Sequence, residues 1–191
     1  TASYPELAGL GEALAEHEAV LDGEVVAWDD AGKPSFEMLQ QRIHVQRPQP
    51  VLIAAVPVTY LVFDLLWLDG RSYLDVPYTQ RRAALAELGL AGPAWATAPS
   101  FSGDGHAALA ASREQGLEGV VAKRLNSRYE PGRRSRAWIK VKHERTQEVV
   151  IGGWRPGQGR RAGGIGSLLL GVYDEHTGPG GLRYVGHVGT G

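Results

Sequence analysis

The stretch Val58-Thr59-Tyr60-Leu61-Val62-Phe63-Asp64-Leu65-Leu66-Trp67-Leu68, ended by Asp69-Gly70, decides the architecture. Its β-branched, aromatic and aliphatic side chains run on with almost no polar alternation, which reads as a strand covered on both faces and therefore central in a sheet. Working outwards, 19–28 alternates as a strand does, and Asp29-Asp30-Ala31-Gly32 turns the chain out of it. Upstream, Ser3, Pro5 and Glu6 form a capping box ahead of Leu7, Leu10 and Leu14, predicting a helix to about Glu16. Between the two strands Ser35 caps a short helix carrying Phe36, Leu39 and Ile43, closed by the proline-rich 47–50, with a loop beyond. Downstream, Thr79 opens a helix through Leu88 and Asp104 opens another through Gln115, stopped by Gly116; 117–124 and 138–142 are further strands.

A change of composition follows Arg145. Gly152, Gly153, Gly157, Gly159, Gly163, Gly164 and Gly166 separate strands at 148–154 and 167–173, and a turn at 178–181 returns a strand at 182–188. A domain boundary is placed there, giving domains 1–145 and 146–191. With 191 residues and 43% hydrophobic composition the chain buries a real core, as one large domain or one domain and part of a second. A formal charge of −1 gives no compositional reason to expect nucleic acid, so that question turns on where the charges sit. The absence of cysteine excludes a disulfide framework and thiolate metal sites, and six scattered histidines lack zinc-ligand spacing. No basic-then-apolar leader and no apolar run near the roughly 20 residues of a membrane span are present, so the chain reads as cytosolic.

Asp22 and Glu24 stand two apart in a strand, which points both carboxylates to one face and Leu21 and Val25 to the other. Alone, such a pair is an ordinary solvated edge. Leu117-Glu118-Gly119-Val120-Val121-Ala122-Lys123-Arg124 sets an acid and a lysine in an apolar strand, where ionised groups are costly without a ligand, a metal or an internal ion pair to match them. Trp138-Ile139-Lys140-Val141-Lys142 alternates, with both ammonium groups on one face and Ile139 and Val141 on the core side; a phosphate chain suits such a pair. Between Lys123 and Arg145 nine basic residues stand against Glu130 and Glu144, an excess of seven positive charges. With Tyr129, Trp138 and the Pro131-Gly132 turn among them, this run reads as a phosphate-backbone contact loop.

Leu21-Asp22-Gly23-Glu24, Tyr60-Leu61-Val62-Phe63-Asp64, Glu118-Gly119-Val120-Val121-Ala122-Lys123 and Trp138-Ile139-Lys140-Val141-Lys142 resemble, in order and spacing, the collinear motifs of covalent nucleotidyltransferases. The connecting segments 126–134 and 146–154 resemble the ligase domain of the bacterial ligase D type of ATP-dependent DNA ligase. The resemblance covers essentially the whole chain. It implies an α+β adenylation domain with antiparallel sheets and flanking helices, followed by the start of an OB-fold β-barrel. It implies that Glu24 binds the ribose, that Phe63 stacks on adenine with Tyr60 a weaker candidate, and that Asp22 belongs to the same cofactor-binding strand. From pattern alone Phe63 reads as a core aromatic. Glu118 would hold Mg2+ or Mn2+, Lys140 and Lys142 would neutralise the phosphates of ATP (AMP), Lys123 would assist on the phosphate side, and Arg128, Arg133, Arg134 and Arg136 would contact nucleic acid. Glu118 and Lys123, five apart, fall on opposite faces of a regular strand; a bulge or a strand end is needed to reconcile them.

The same resemblance implies sealing of nicked or broken double-stranded DNA in repair and end joining, in the bacterial cytoplasm at the nucleoid. Ku and the polymerase and phosphoesterase domains of the same enzyme are its expected partners. Family members carry a Lys-x-Asp-Gly element whose lysine attacks the ATP α-phosphate. None of the four lysines here, Lys33, Lys123, Lys140 and Lys142, is followed by x-Asp-Gly, so a chain truncated at both ends and inactive alone is expected. An RNA ligase or a capping-type nucleotidyltransferase, and a non-catalytic nucleotide- or DNA-binding fragment, are the alternatives.

Overall fold

The central run becomes the longest strand of the fold, β2 (Val58–Leu68). The computed structural model describes residues 2–14, 16–143, 146–159, 162–174 and 181–189. The chain divides into two units, Thr1–His143 and Glu144–Gly191. In the first, β2 pairs antiparallel with β1 (Ala19–Ala27), antiparallel with the short β3 (Arg71–Ser72) and parallel with β4 (Trp95–Thr97), so it is central as its composition predicts. The reversal into β3 uses Asp69 and Gly70, both at positive φ. On one side Val62 and Leu65 pack with Leu85 of helix α4 (Tyr78–Glu87) and with Leu90, Ala94 and Trp95. A second cluster joins Ala27, Val56 and Val58 to Met38 and Leu39 of α2 (Phe36–Gln40) and Leu52 of α3 (Pro50–Ala55). Each valine and leucine among them is worth about 1.5–3 kcal/mol on full burial.

The pairing of β1 with β2 slips twice. Val20 faces Trp67 while Leu21 faces Leu65, and Asp22 faces Asp64 while Gly23 faces Val62, leaving Leu66 and Phe63 as extra residues on β2. Because Val62 and Leu65 stay in the core, the second slip lets Phe63 and Asp64, neighbours in sequence, both serve the other side. Gly23 allows the close approach: a Cβ there would lie 2.6 Å from the carbonyl oxygen of Leu61 and 2.6 Å from the Tyr60 ring.

Caps behave as their chemistry requires in α2, where Ser35 accepts from Met38 N–H, and in α5 (Gly105–Glu114), where Asp104 accepts from His106 N–H and Gly116 at φ +69 ends the last turn. The amino-terminal helix differs from expectation. A 3-10 turn, Pro5–Leu7, and a single short helix α1 (Gly9–Ala13) replace it, with no side-chain cap from Ser3. The carboxylate of Glu6 is taken instead by the fully buried Arg42 at 2.9 Å. The loop expected after 47–50 is helix α3, started by Pro50, whose missing N–H costs nothing at a first helical position. Strands β3 and β4, too short to leave a periodicity, were not anticipated.

Two short strands, β5 (Gly119–Lys123) and β6 (Trp138–Lys142), form a separate antiparallel pair in the same unit. The second unit is an antiparallel sheet in the order β7 (Val150–Pro156), β8 (Ile165–Tyr173), β9 (Leu182–Gly189). Gly171 lets β8 and β9 meet there, since a Cβ would come 2.5 Å from Leu182. Arg145, and 178–180 of the expected hairpin turn, lie outside the described residues. No helix of the described residues is long and apolar enough to cross a membrane.

Candidate active site

The register of β5 with β6 sets the site's working face. Val121 pairs with Lys140, Lys123 with Trp138 and Gly119 with Lys142, so these side chains share one side of the ribbon. Lys140 and Lys142 therefore do lie together, both exposed. The conflict between Glu118 and Lys123 is resolved at the strand end. Gly119 has φ +153, a conformation open to glycine, and a Cβ there would strike the Val141 carbonyl oxygen at 2.1 Å. Freed from strict alternation, Glu118 forms an ion pair with Lys142 Nζ, which with the nearby Lys140 charge holds its carboxyl below the usual carboxylate range. Ile139 was expected on the core side and is not there: it is 54% exposed. Helix α5 covers β5, and only Val120 and Val141 of the back face are partly buried.

Lys123 takes a different course from the two exposed lysines. Its Nζ lies 3.6 Å from the ring centroid of Trp138, 4.3 Å from that of Phe63 and 5.0 Å from that of Tyr78, with no hydrogen-bond partner. Burial pushes this amine down to about 8, and the charges of Asp64 and Asp22 oppose the fall. Three π faces also favour the cation. Phe63 meets Trp138 edge-on at 5.8 Å, and Tyr129 meets Trp138 edge-on at 5.7 Å. Phe63 is thus no simple core aromatic, and the ammonium group covers one of its faces. Lys123 accordingly drops out of the exposed basic run to which the sequence assigned it.

Beneath this cage two carboxylates on neighbouring strands have dedicated partners. Asp64, fully buried, accepts from Arg81 Nε at 2.7 Å and Nη2 at 2.9 Å, and Arg81, also fully buried, donates through Nη1 to the carbonyls of Val76 and Ser127. Asp22 accepts from the Tyr129 hydroxyl at 2.6 Å, and desolvation together with that carboxylate raises the phenol's pKa. Asp22 is therefore occupied within the protein, while Glu24 on the same strand is exposed and carries no hydrogen bond or ion pair among the described residues. Lys140 and Lys142 face Glu118, whereas Lys123 lies within electrostatic reach of Asp22 and Asp64. Arg81 and Tyr78 were missed, and Tyr129 was read only as an aromatic of the basic loop, not as the partner of Asp22. A charge at position 64 of an apolar strand, and an arginine four residues before the buried Leu85 on one helix stripe, were the signals available.

The basic loop is pinned at its start and open at its tip. Ser127 O receives Tyr78 N–H, Leu125 O receives Thr79 N–H, and Tyr129 N–H reaches Leu74 O, which ties 125–129 to the first turn of α4. Arg128 makes a 3.3 Å exposed pair with Asp75, whereas Arg133, Arg134 and Arg136 beyond the Gly132 turn are exposed with no ion pair among the described residues. No group of three metal-ligating side chains occurs among the described residues, so Glu118 stands as a single carboxylate donor.

An α+β core in which an antiparallel ribbon bearing lysines and a carboxylate meets a largely antiparallel sheet across an aromatic cage is that of a nucleotidyltransferase domain. Residues 1–142 match the family described as "ATP dependent DNA ligase domain", and the chain belongs to that family. It is 50% identical over 192 residues to the multifunctional non-homologous end joining DNA repair protein LigD of Mycobacterium tuberculosis, a match over 100% of this chain and 23% of that protein. It is 37% identical over 192 residues to a DNA ligase of Methanoculleus marisnigri, covering 34% of it. A solved structure of mycobacterial DNA ligase D complexed with ATP and MES matches with TM-score 0.65 and 49% identity, over 100% of this chain and 56% of that one. The chain thus spans about a quarter of the length of its mycobacterial curated relatives.

Proposed function

We propose that this chain is the adenylation core of an ATP-dependent DNA ligase that seals nicked or broken duplex DNA in end joining. The observation that carries this reading is the shared face of β5 and β6, where Glu118 pairs with Lys142 beside Lys140, and Lys123 stands further along the same face in its aromatic cage. Lys140 and Lys142 neutralise the triphosphate, whose charge grows at the departing pyrophosphate. Glu24, unpaired and exposed, accepts from the ribose hydroxyls. Phe63 stacks on adenine once Lys123 withdraws from its face to the phosphate side. Asp22 lines the cofactor strand and acts through Tyr129. Glu118 fits a divalent Mg2+ or Mn2+, hard cations that take one or two carboxylates and complete their shell with phosphate oxygens and water. Such a cation, when bound, supplies further charge neutralisation on the phosphates.

In the family's reaction a lysine attacks the α-phosphate and pyrophosphate leaves; the AMP passes to a DNA 5′-phosphate; a 3′-hydroxyl displaces it. These 191 residues contain no Lys-x-Asp-Gly, so they supply the electrostatic surroundings of that chemistry and not its nucleophile. Arg128, Arg133, Arg134 and Arg136 hold the DNA backbone, and 146–191 begins an OB-fold that follows the adenylation domain of 1–145. The name of the mycobacterial relative, a multifunctional end-joining DNA repair protein, supports end joining as the setting; Ku, fused polymerase or phosphoesterase domains and a cytoplasmic, nucleoid location belong to the same proposal.

A second reading, nucleotide and DNA binding without turnover, is favoured for this polypeptide by the same missing tetrapeptide. Incubation with labelled ATP and magnesium should leave no protein-bound AMP on a denaturing gel; a labelled band would make one of the four lysines present the nucleophile. Calorimetry should detect ATP and nicked duplex, with ATP binding lost in Lys140→Ala/Lys142→Ala. Undiminished ATP binding by that variant would overturn the site.

A further inference from the structure

Asp22 and Asp64 face one another across β1 and β2, and Lys123 lies within electrostatic reach of both. Two carboxylates beside an ammonium group would ordinarily capture it. Yet Lys123 Nζ has no hydrogen bond and rests on aromatic faces. The reason is that each acid is already held. Asp64 is locked from three directions, by two Arg81 nitrogens and by Leu65 N–H at 2.9 Å. The hold on Asp22 is a single side-chain hydrogen bond among the described residues, from the Tyr129 hydroxyl.

We propose that Tyr129 is a positioning residue of the nucleotide face: by donating to Asp22 it keeps that carboxylate from Lys123, so the lysine remains in the Phe63, Tyr78 and Trp138 cage and free to leave it. An ammonium held by π faces is released more readily than one held in an ion pair at the same depth. Tyr129 also fixes the start of the arginine loop, since its backbone N–H reaches Leu74 O while its hydroxyl reaches β1. The consequence for ligand binding rests on the nucleotide-site reading above; the placement of Lys123 does not.

The groups facing Lys123 are Asp22 from β1, Asp64 from β2, and Tyr78, Arg81 and Arg82 from α4; Tyr129 of the loop lies against Arg81 and Trp138 beside them. Replacing Tyr129 by phenylalanine removes only the hydroxyl and keeps the ring against Trp138. With four lysines in the chain, the titration of Lys123 can be followed by its ε-carbon resonance. In Tyr129→Phe the freed Asp22 pairs with Lys123, and the midpoint should rise by about one pH unit or more, as an opposite charge at contact distance requires. In Asp22→Asn, with or without Tyr129→Phe, it should fall below the wild-type value, because a charge that raises it is gone. An unchanged midpoint in Tyr129→Phe, in a variant whose melting curve shows it folded, overturns the proposal; should that variant not fold, a midpoint in Asp22→Asn that rises or stays put does so. AMP supplies the functional arm. Tyr129→Phe should bind it about tenfold more weakly, and adding Asp22→Asn should recover most of the loss. Equal binding by wild type and Tyr129→Phe overturns the positioning role, whereas no binding of AMP by the wild type overturns the nucleotide site and leaves the lysine titration to decide the placement.

Discussion

Two ion pairs in the first unit have similar chemistry and opposite circumstances. Arg81 and Asp64 are both at 0% exposure, joined by two hydrogen bonds, with Nη1 of the guanidinium donating to two backbone carbonyls. Lys142 and Glu118 make a single contact, and their side chains are 62% and 77% exposed. The buried pair ties the bulged part of β2 to α4 and to the loop at Ser127, so it determines where Phe63 and Tyr129 stand. The exposed pair determines nothing about the fold. Its partners remain solvated, so both can be exchanged for a phosphate or a cation at small cost, which a ligand site needs and a scaffold does not.

The contrast is broken most directly at Arg81. Arg81→Met leaves Asp64 ionised and unpartnered in the core, and the expected loss is about 3–5 kcal/mol in chemical denaturation followed by circular dichroism. Asp64→Leu added to it should recover most of that loss, because two apolar groups replace a pair that gains little over them. A loss under about 1 kcal/mol for Arg81→Met would mean that water reaches Asp64 and that the two pairs do not differ in kind.

What the sequence made legible follows the same division. The central strand, the caps at Ser35 and Asp104 and the alternation of Lys140 with Lys142 are local properties, and each appears in the structure. Period-two reasoning holds along β1, where Leu21 and Val25 pack inward and Asp22 and Glu24 point away, but it does not reach the slips against β2, because a bulge at Phe63 belongs to the pairing and not to either strand alone. Nor does it reach Lys123, whose place among Phe63, Tyr78 and Trp138 depends on residues 60, 45 and 15 positions away. The capping box at Ser3 was a good local signal overruled from a distance, since Arg42 offered Glu6 a charged partner that a backbone N–H cannot match. The family motifs named the residues proposed for the site; they did not distinguish a lysine facing solvent from one inside a cage.

Lys123 sharpens the comparison because it is a buried charge with no bonded partner. Its folded-state pKa of about 8 lies below the ordinary 10.5, so from about pH 8 to about 10.5 the unfolded chain binds the proton more tightly. Stability should therefore rise with pH across that window, and below it the cost of burying the cation is present in full. Lys123→Met, which keeps the stem and removes the charge, should stabilise the protein at pH 7 by about 1 kcal/mol, a figure reduced from the full shift because water still reaches part of the side chain. It should also flatten the rise between pH 8 and 10.5 in urea denaturation. A variant less stable than wild type at pH 7 would show that the π faces outweigh the loss of hydration.

The smallest effect on the fold belongs to Lys142, and its size is the point. Lys142→Ala removes a solvated pair, so stability should change by less than about 1 kcal/mol. What little Glu118 gains from its depressed pKa is present above the ordinary carboxylate range and is lost as the pH falls through the folded value; the substitution should erase that acid-limb contribution. Affinity for ATP, measured by calorimetry at fixed magnesium, should fall by about tenfold, near 1.4 kcal/mol. A residue that contributes little to the fold and much to binding has its interaction energy reserved for the ligand. If Lys142→Ala lowered the melting temperature as far as Arg81→Met does while leaving ATP affinity unchanged, the exposed pair would be scaffold, and the shared face of β5 and β6 would lose its claim to the phosphates.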